Sequence, residues 1–295
     1  MIFADPRHSD FQSGNNTFNE PSLTPICMTN NDKPIGVFDS GIGGLTVASA
    51  LHKRLPAENL IYLGDTARVP YGTKSVTAIN RYALESALFL LNRGVKLIVV
   101  ACNTVSAVAL PHLKELLSVP MIGVVEPGVR AAINASHSRK IGVIATPSTI
   151  ASKAYQSRLQ EALPEATIFA KACPLLVPMA EEGRLSGSIV NALLEEYLRS
   201  FKKSGVDSLI LGCTHYPLFR TAIGEVMGEG VRLVDSAETT AEQVEMTLLR
   251  EGLLRTHGPG TVKAYVTDLP RQFDRVARRF FGAPLGKVER IILGE

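Results

Sequence analysis

From Lys33 onward the chain alternates short runs of β-branched and other apolar residues with longer stretches whose apolar positions recur every three or four residues. The first series is PIGVFD, LTVASALHKRL, NLIYLGD, SVTAINRYALESALFLLNRG, VKLIVVA and VSAVALPHLKELL. Continuous short apolar runs are what strands buried on both faces look like, and the 3.6-residue period marks helices packed along one side. Polar or glycine-containing turns separate them, so the series predicts βαβ units and a parallel sheet covered by helices. A second series has strands at KIGVIA, TIFAKA and DSLILG, with helices at TIASKAYQSRLQEAL and IVNALLEEYLRSFKKS. From Asp235 the pattern gives a helix (AEQVEMTLLREGLL), a strand (VKAYVTD) and a short helix (RQFDRVARRFF) that return to the first unit. The expected architecture is α/β, with two pseudo-symmetric doubly wound domains and mostly parallel sheets: residues 33–127 plus 236–295, and residues 128–235. Residues 1–32 are rich in Asn, Ser, Pro and Asp and show no apolar period, which predicts a flexible N-terminal extension.

One stretch repeats. GVKLIVVAC at 94–102 lies without gaps over GVDSLILGC at 205–213, with Gly, Val and the final Cys coinciding. A threonine-containing polar turn follows each copy, NT after Cys102 and TH after Cys213. The echo predicts two equivalent strands, each ending in a cysteine. In an open parallel sheet, ligands bind beyond the carboxyl ends of the strands, where loops and helix N-termini converge. A thiol there is pushed toward thiolate, and the neighbouring N–H groups suit an anionic ligand.

Composition narrows the partner. With 295 residues and 45% hydrophobic content the chain buries its cores without disulfides, and 31 basic against 28 acidic residues leave a net charge of only +3. That is too little for a nucleic-acid or membrane footprint, so a small molecule is expected. Cys27, Cys102, Cys173 and Cys213 form no C-x-x-C pair, which argues against a zinc ribbon or a secreted disulfide framework. No apolar run approaches a membrane span and no signal-peptide pattern opens the chain, so the cytoplasm is the expected compartment.

Other candidate chemistry clusters at the predicted strand ends. FDSGIGG places Asp39 and Ser40 ahead of Gly41, Gly43 and Gly44. A tight strand-to-helix turn and a dinucleotide fingerprint with Asp65 on a ribose are both open, although Thr46 stands where the fingerprint needs a third small residue. GDTARVPYG crowds Asp65, Arg68, Tyr71 and Gly72 into one loop, where Arg68 either binds an acidic substrate or pairs with Asp65. Tyr71 and Gly72 offer a hydroxyl and N–H groups to a carboxylate. GCTHYPL adds Thr214 and His215 beside Cys213, with the imidazole as an acid-base partner; ACPLLVPMAEEG adds Glu181, Glu182 and a structural Cys173. A zinc site of Cys102, Cys213 and His215 is the metal alternative, without the paired spacing such sites use.

Taken in order, VFDSGIGG, GDTARVPYG, ACNTVSA, EPGVRAA, ACPLLVPMAEEG, LGCTHYPL and LVDSA resemble the cofactor-independent glutamate racemases of bacterial cell-wall synthesis, from about Lys33 to the C-terminus. The resemblance implies a site in the interdomain cleft, no cofactor and no metal. It implies that Cys102 and Cys213 flank the α-carbon of glutamate as thiolate base and thiol acid, exchanging roles with the direction of reaction. Asp39 would assist Cys102; Glu181 and His215 would assist Cys213. Asn103, Thr104 and Thr214 would hold the α-amino and α-carboxylate groups, with Ser40, Tyr71, Gly72 and Thr149 around the remaining polar groups; Asp39 and His215 would also border the substrate. D-Glutamate would feed peptidoglycan, a homodimer is expected, and UDP-N-acetylmuramoyl-L-alanine is a candidate activator, since some proteobacterial members carry an N-terminal extension. Val105 and Ala145 depart from the family's usual residues without touching the proposed chemistry.

Overall fold

The structure, a computed structural model, describes residues 30–269 and 273–294. Most of the expected extension, residues 1–29 with Cys27, lies outside the described residues. Its last three residues, Asn30–Asp32, form a 3-10 turn docked on the C-terminal segment, where Asp32 pairs with Arg255 at 3.3 Å and His257 at 3.0 Å.

The first half runs β1 (Ile35–Asp39), α1 (Leu45–Arg54), β2 (Leu60–Gly64), α2 (Val76–Leu91), β3 (Leu97–Val100), α3 (Asn103–Val108), α4 (Leu110–Leu116) and β4 (Met121–Gly123). Helix α5 (Val125–Ala135) leads across to β5 (Lys140–Ala145), α6 (Pro147–Ala151), α7 (Ala154–Ala162), β6 (Thr167–Ala172), α8 (Leu176–Glu181), α9 (Ser188–Ser204), β7 (Ser208–Gly212), α10 (Arg220–Met227) and β8 (Arg232–Val234). Then α11 (Ser236–Arg250), β9 (Val262–Val266), α12 (Phe273–Phe281) and β10 (Val288–Arg290) complete the chain. The boundary expected after residue 127 falls inside α5.

Strands β1, β2, β3 and β7 are buried along their whole length, as their unbroken apolar runs require. The helices bury a stripe: α2 starts on the Ser75 side-chain cap and turns Ile79, Ala83, Ala87 and Leu90 inward. Two stretches expected as single helices are each broken in two. Pro111 has no N–H to donate and sits in the first turn of α4, where that loss is tolerated, so α3 stops at Val108. Lys153, left-handed at φ 57°, separates α6 from α7. The three-residue strands β4, β8 and β10 are too short to leave a period in the sequence.

All strand pairs are parallel, in a six-stranded sheet ordered β10-β9-β2-β1-β3-β4 and a four-stranded sheet ordered β6-β5-β7-β8. The run β2-β1-β3-β4 has the same order as β6-β5-β7-β8, so the echo in the sequence extends to the topology. In each sheet the order reverses beside the first strand, between β1 and β3 and between β5 and β7. The connections leave in opposite directions there and open a crevice at the carboxyl edge. Cys102 follows β3 at one such point and Cys213 follows β7 at the other.

Candidate active site

Both thiols reach one narrow cleft, lined by Ser40, Tyr71, Gly72, Asn103, Thr104, Thr214 and His215, with Val69, Pro70, Thr146 and Val177. Cys102 is 5% exposed and Cys213 7% exposed. Asp39, Glu181 and Thr149 stand just behind this lining: Glu181 bonds His215, Thr149 bonds Thr104, and Asp39 directly precedes Ser40.

Cys102 caps the start of α3, and its thiol donates to Ser40 Oγ at 3.3 Å. Burial and then the nearby Asp39 carboxylate push the thiol up to about 12, against the opposing pull of the Ser40 hydroxyl and the Val105 N–H. Removing water costs more than those two hydrogen bonds return, which favours the protonated form of Cys102. Asp39, 1% exposed, accepts from the Gly41 N–H at 3.0 Å, while its Oδ1 is buried with no partner. Burial raises its carboxyl, opposed by His215 and by the N–H groups of Gly44, Gly41 and Ser40.

Across the cleft, His215 Nδ1 lies 3.8 Å from Cys213 Sγ and its Nε2 lies 3.1 Å from Glu181 Oε1. Burial alone would lower the imidazole, but the hydrogen bonds and charges of Cys213 and Glu181 prevail and raise it from 6.5 to about 10. The two sides of the cleft therefore differ in their neighbours: Cys102 bonds the Ser40 hydroxyl, whereas Cys213 has the His215–Glu181 pair beside it. Phe280 holds the imidazole edge-on, with ring centroids 5.2 Å apart. Because the folded state keeps the His215 proton that the unfolded chain releases above 6.5, its stabilising contribution is complete below that pH and fades toward 10. The stability advantage of the wild type over His215→Asn is therefore expected to shrink across that interval in urea titrations. A difference that is constant with pH would show that His215 is neutral in the fold.

The glycine-rich turn serves close approach. A methyl group on Gly43 would come within 2.3 Å of Thr214 Oγ1 and 2.6 Å of His215 Nδ1, and one on Gly44 within 2.4 Å of Asp39 Cβ. Only hydrogen fits at either position, at Gly43 where the first half presses on the second and at Gly44 where the turn packs on its own strand ends. Asp65 has no access to a ribose: fully buried, it accepts from Tyr71, from Thr267 at 2.8 Å and from Arg68 at 2.6 Å. Arg68 also pairs with Glu85 and stacks on Tyr82, so it holds the loop. The Tyr71 result corrects an expectation. Its hydroxyl proton is committed to Asp65, so although Tyr71 lines the cleft it has no O–H left to donate to a carboxylate there. Gly72 fits against Thr146, where a methyl would meet Cβ at 2.6 Å, and its carbonyl accepts from Ser148 at 2.8 Å.

Thr104, Thr146 and Thr149 bring their hydroxyls together at 2.9 to 3.3 Å across the two halves. Thr146 had a legible signal, as an N-cap ahead of proline in TPST. Val177 and Tyr155 had none; Tyr155 comes from α7 to donate to Asn103 Oδ1 at 2.5 Å. Cys173 is fully buried and its thiol is pushed up to about 12 by burial, in keeping with a structural role. Among the described residues no group of three or more His, Cys, Asp or Glu side chains is placed to hold a metal, and no helix is long and apolar enough to cross a membrane.

Comparison with known proteins gives the same picture. The Asp/Glu/Hydantoin racemase family model matches residues 35–244. A glutamate racemase of Geobacter metallireducens is 50% identical over 262 residues, covering 88% of this chain and 97% of its own. Among solved structures, glutamate racemase from Francisella tularensis subsp. tularensis in complex with D-glutamate superposes with a TM-score of 0.84 at 40% identity, over 88% of this chain and 98% of that one. Escherichia coli glutamate racemase, in complex with L-glutamate and the activator UDP-MurNAc-Ala, superposes at 0.72 with 27% identity, over 89% and 100%. Matching motifs, matching topology and one cleft with a cysteine from each half converge: the chain is an isomerase and belongs to the Asp/Glu/hydantoin racemase family.

Proposed function

We propose that this enzyme interconverts L- and D-glutamate by moving the α-proton between Cys102 and Cys213, with no cofactor. The observation that carries the reading is the placement of two thiols at equivalent switch points of two sheets, facing one cleft, each with its own titratable neighbour. One thiolate takes the α-hydrogen, forming an S–H bond, while the electron pair of the broken C–H bond stays on the α-carbon and spreads into the carboxylate. The thiol on the opposite face gives its proton to that carbon and becomes the thiolate. Inversion results, and the next turnover in reverse uses the same groups with their roles exchanged.

The α-proton is far less acidic than a thiol, and each unit of mismatch costs about 1.4 kcal/mol. Fixed donors in a dry cleft offset this, because they need no reorganisation as charge develops. In this reading Asn103, Thr104 and Thr214 hold the α-amino and α-carboxylate groups. Ser40 attends Cys102, and Asp39, with its unpartnered Oδ1, moves a proton on that side. His215 and Glu181 perform the same service for Cys213. Thr149 steadies Thr104, and the backbone of Tyr71 and Gly72 closes the cleft.

The product's use in peptidoglycan, a cytoplasmic site of action, a homodimer and activation by UDP-N-acetylmuramoyl-L-alanine are the biological setting of this proposal; activation draws support from the Escherichia coli glutamate racemase complexed with UDP-MurNAc-Ala. The test is proton NMR of D-glutamate in heavy water with no added cofactor, read beside circular dichroism, with and without the precursor. Loss of the Cα–H signal in step with optical activity is the expected result. No change with either enantiomer, precursor included, would remove glutamate as the substrate.

A further inference from the structure

We propose that Tyr155 is a positioning residue that gauges the separation of the two cysteine loops and, through its hydroxyl, orients the Asn103 amide toward the substrate. The inference rests on the glutamate racemase reading above and adds a residue that none of the recognised motifs contains.

Tyr155 rises from α7 in the second half and is fully buried. Its hydroxyl donates to Asn103 Oδ1 at 2.5 Å, and Asn103 is the residue after Cys102. The Cε2 edge of its ring, next to the hydroxyl-bearing carbon, faces Gly212, the residue before Cys213: a methyl there would stand 3.2 Å from Cε2. One rigid side chain thus touches the immediate neighbour of each thiol. It also meets the places where the chain crosses between halves. A methyl on Gly128 of α5 would lie 3.6 Å from the Tyr155 hydroxyl and 3.1 Å from Ser236 Oγ, at the start of α11.

An aromatic ring has few torsions, so contact through its hydroxyl on one side and its Cε2 atom on the other fixes a distance at little entropic cost. Proton transfer between two faces of one carbon depends on that distance, since reacting groups need near-attack spacing. The hydroxyl has a separate task. An asparagine amide turns about one soft torsion, and holding Oδ1 leaves the two N–H bonds of Nδ2 for the cleft that Asn103 lines. Thr104 beside it is held in the same sense by Thr146 and Thr149, so the residues after Cys102 take their orientation from the second half.

The test is a double-mutant cycle of Tyr155→Phe and Asn103→Ala, read as kcat and KM for D-glutamate below the lowest melting midpoint of the set. Tyr155→Phe is expected to lower kcat/KM at least roughly tenfold, mostly through kcat, and to cost less than about twofold once Asn103 is alanine. Equal losses in both backgrounds would overturn the orienting role, because a merely structural hydroxyl has no reason to act through Asn103. Tyr155→Leu, which removes the ring as well, is expected to lose at least about a further tenfold; parity with Tyr155→Phe would overturn the gauge. Wild-type turnover is measured first. Its absence removes the glutamate reading and this inference with it, whereas normal turnover with an additive cycle overturns this inference alone.

Discussion

Cys102→Ala and Cys213→Ala are each expected to lose on the order of 10³ in racemisation rate, the scale of a positioned acid or base, while retaining the fold. Each substitution removes one sulfur from a buried but cleft-lining position, a stability cost of about 1 kcal/mol. The more informative result is what survives. With a base on only one face, the remaining cysteine reaches the α-hydrogen of one enantiomer and returns a proton to the same face, so hydrogen exchanges without inversion. The two variants are therefore expected to exchange opposite enantiomers in heavy water. Wild-type racemisation in either variant, or exchange of the same enantiomer by both, would end the two-base mechanism.

Lys96→Met is expected to cost about 3 to 5 kcal/mol in stability and roughly 10 °C in melting temperature, with turnover per folded molecule unchanged. Lys96 Nζ lies 2.6 Å from Glu58 Oε2, with the two side chains 2% and 0% exposed. Burial lowers the lysine and Glu58 opposes that shift, so the charged pair persists only because each partner is there. The ammonium also donates to Asn31 O at 2.7 Å and Leu253 O at 2.8 Å, and Glu58 Oε1 accepts from Arg255 N at 2.8 Å. The pair thereby clasps residues 31 and 253–255 to the entry of β2 and β3, at the end of the strands away from the thiols. Removing the lysine strands a carboxylate in the interior. Glu58→Leu with Lys96→Met is expected to recover most of the loss, because two apolar groups leave no buried charge behind. A Lys96→Met melting point within about 2 °C of wild type would show that water reaches Glu58.

Much of the cleft was legible because its residues are close in sequence to strand ends. Asp39, Cys102 and Cys213 each follow a buried apolar run, and the 94–102 and 205–213 echo by itself places two thiols in equivalent positions. Parallel strands deliver their carboxyl ends to one edge, so a strand-end residue carries positional information that a surface residue lacks. Tyr71 shows the limit: a loop phenol free to meet a ligand is indistinguishable in sequence from one whose hydroxyl is committed to Asp65. The same holds for Asp65, where a ribose ligand and a loop anchor share one sequence pattern and only full burial with three donors separates them.

By itself the sequence determined the parallel α/β class, the internal repeat and the cysteine pair, because periodicity and strand-end position are local properties that survive without contacts. The tertiary structure alone decided which residues meet: Tyr155 with Asn103, Thr146 with Thr104 and Gly43 with Thr214 across the halves, and Lys96 with Glu58 within the first. Those pairs lie from a few tens to well over a hundred residues apart, and no local pattern encodes a partner chosen by tertiary packing.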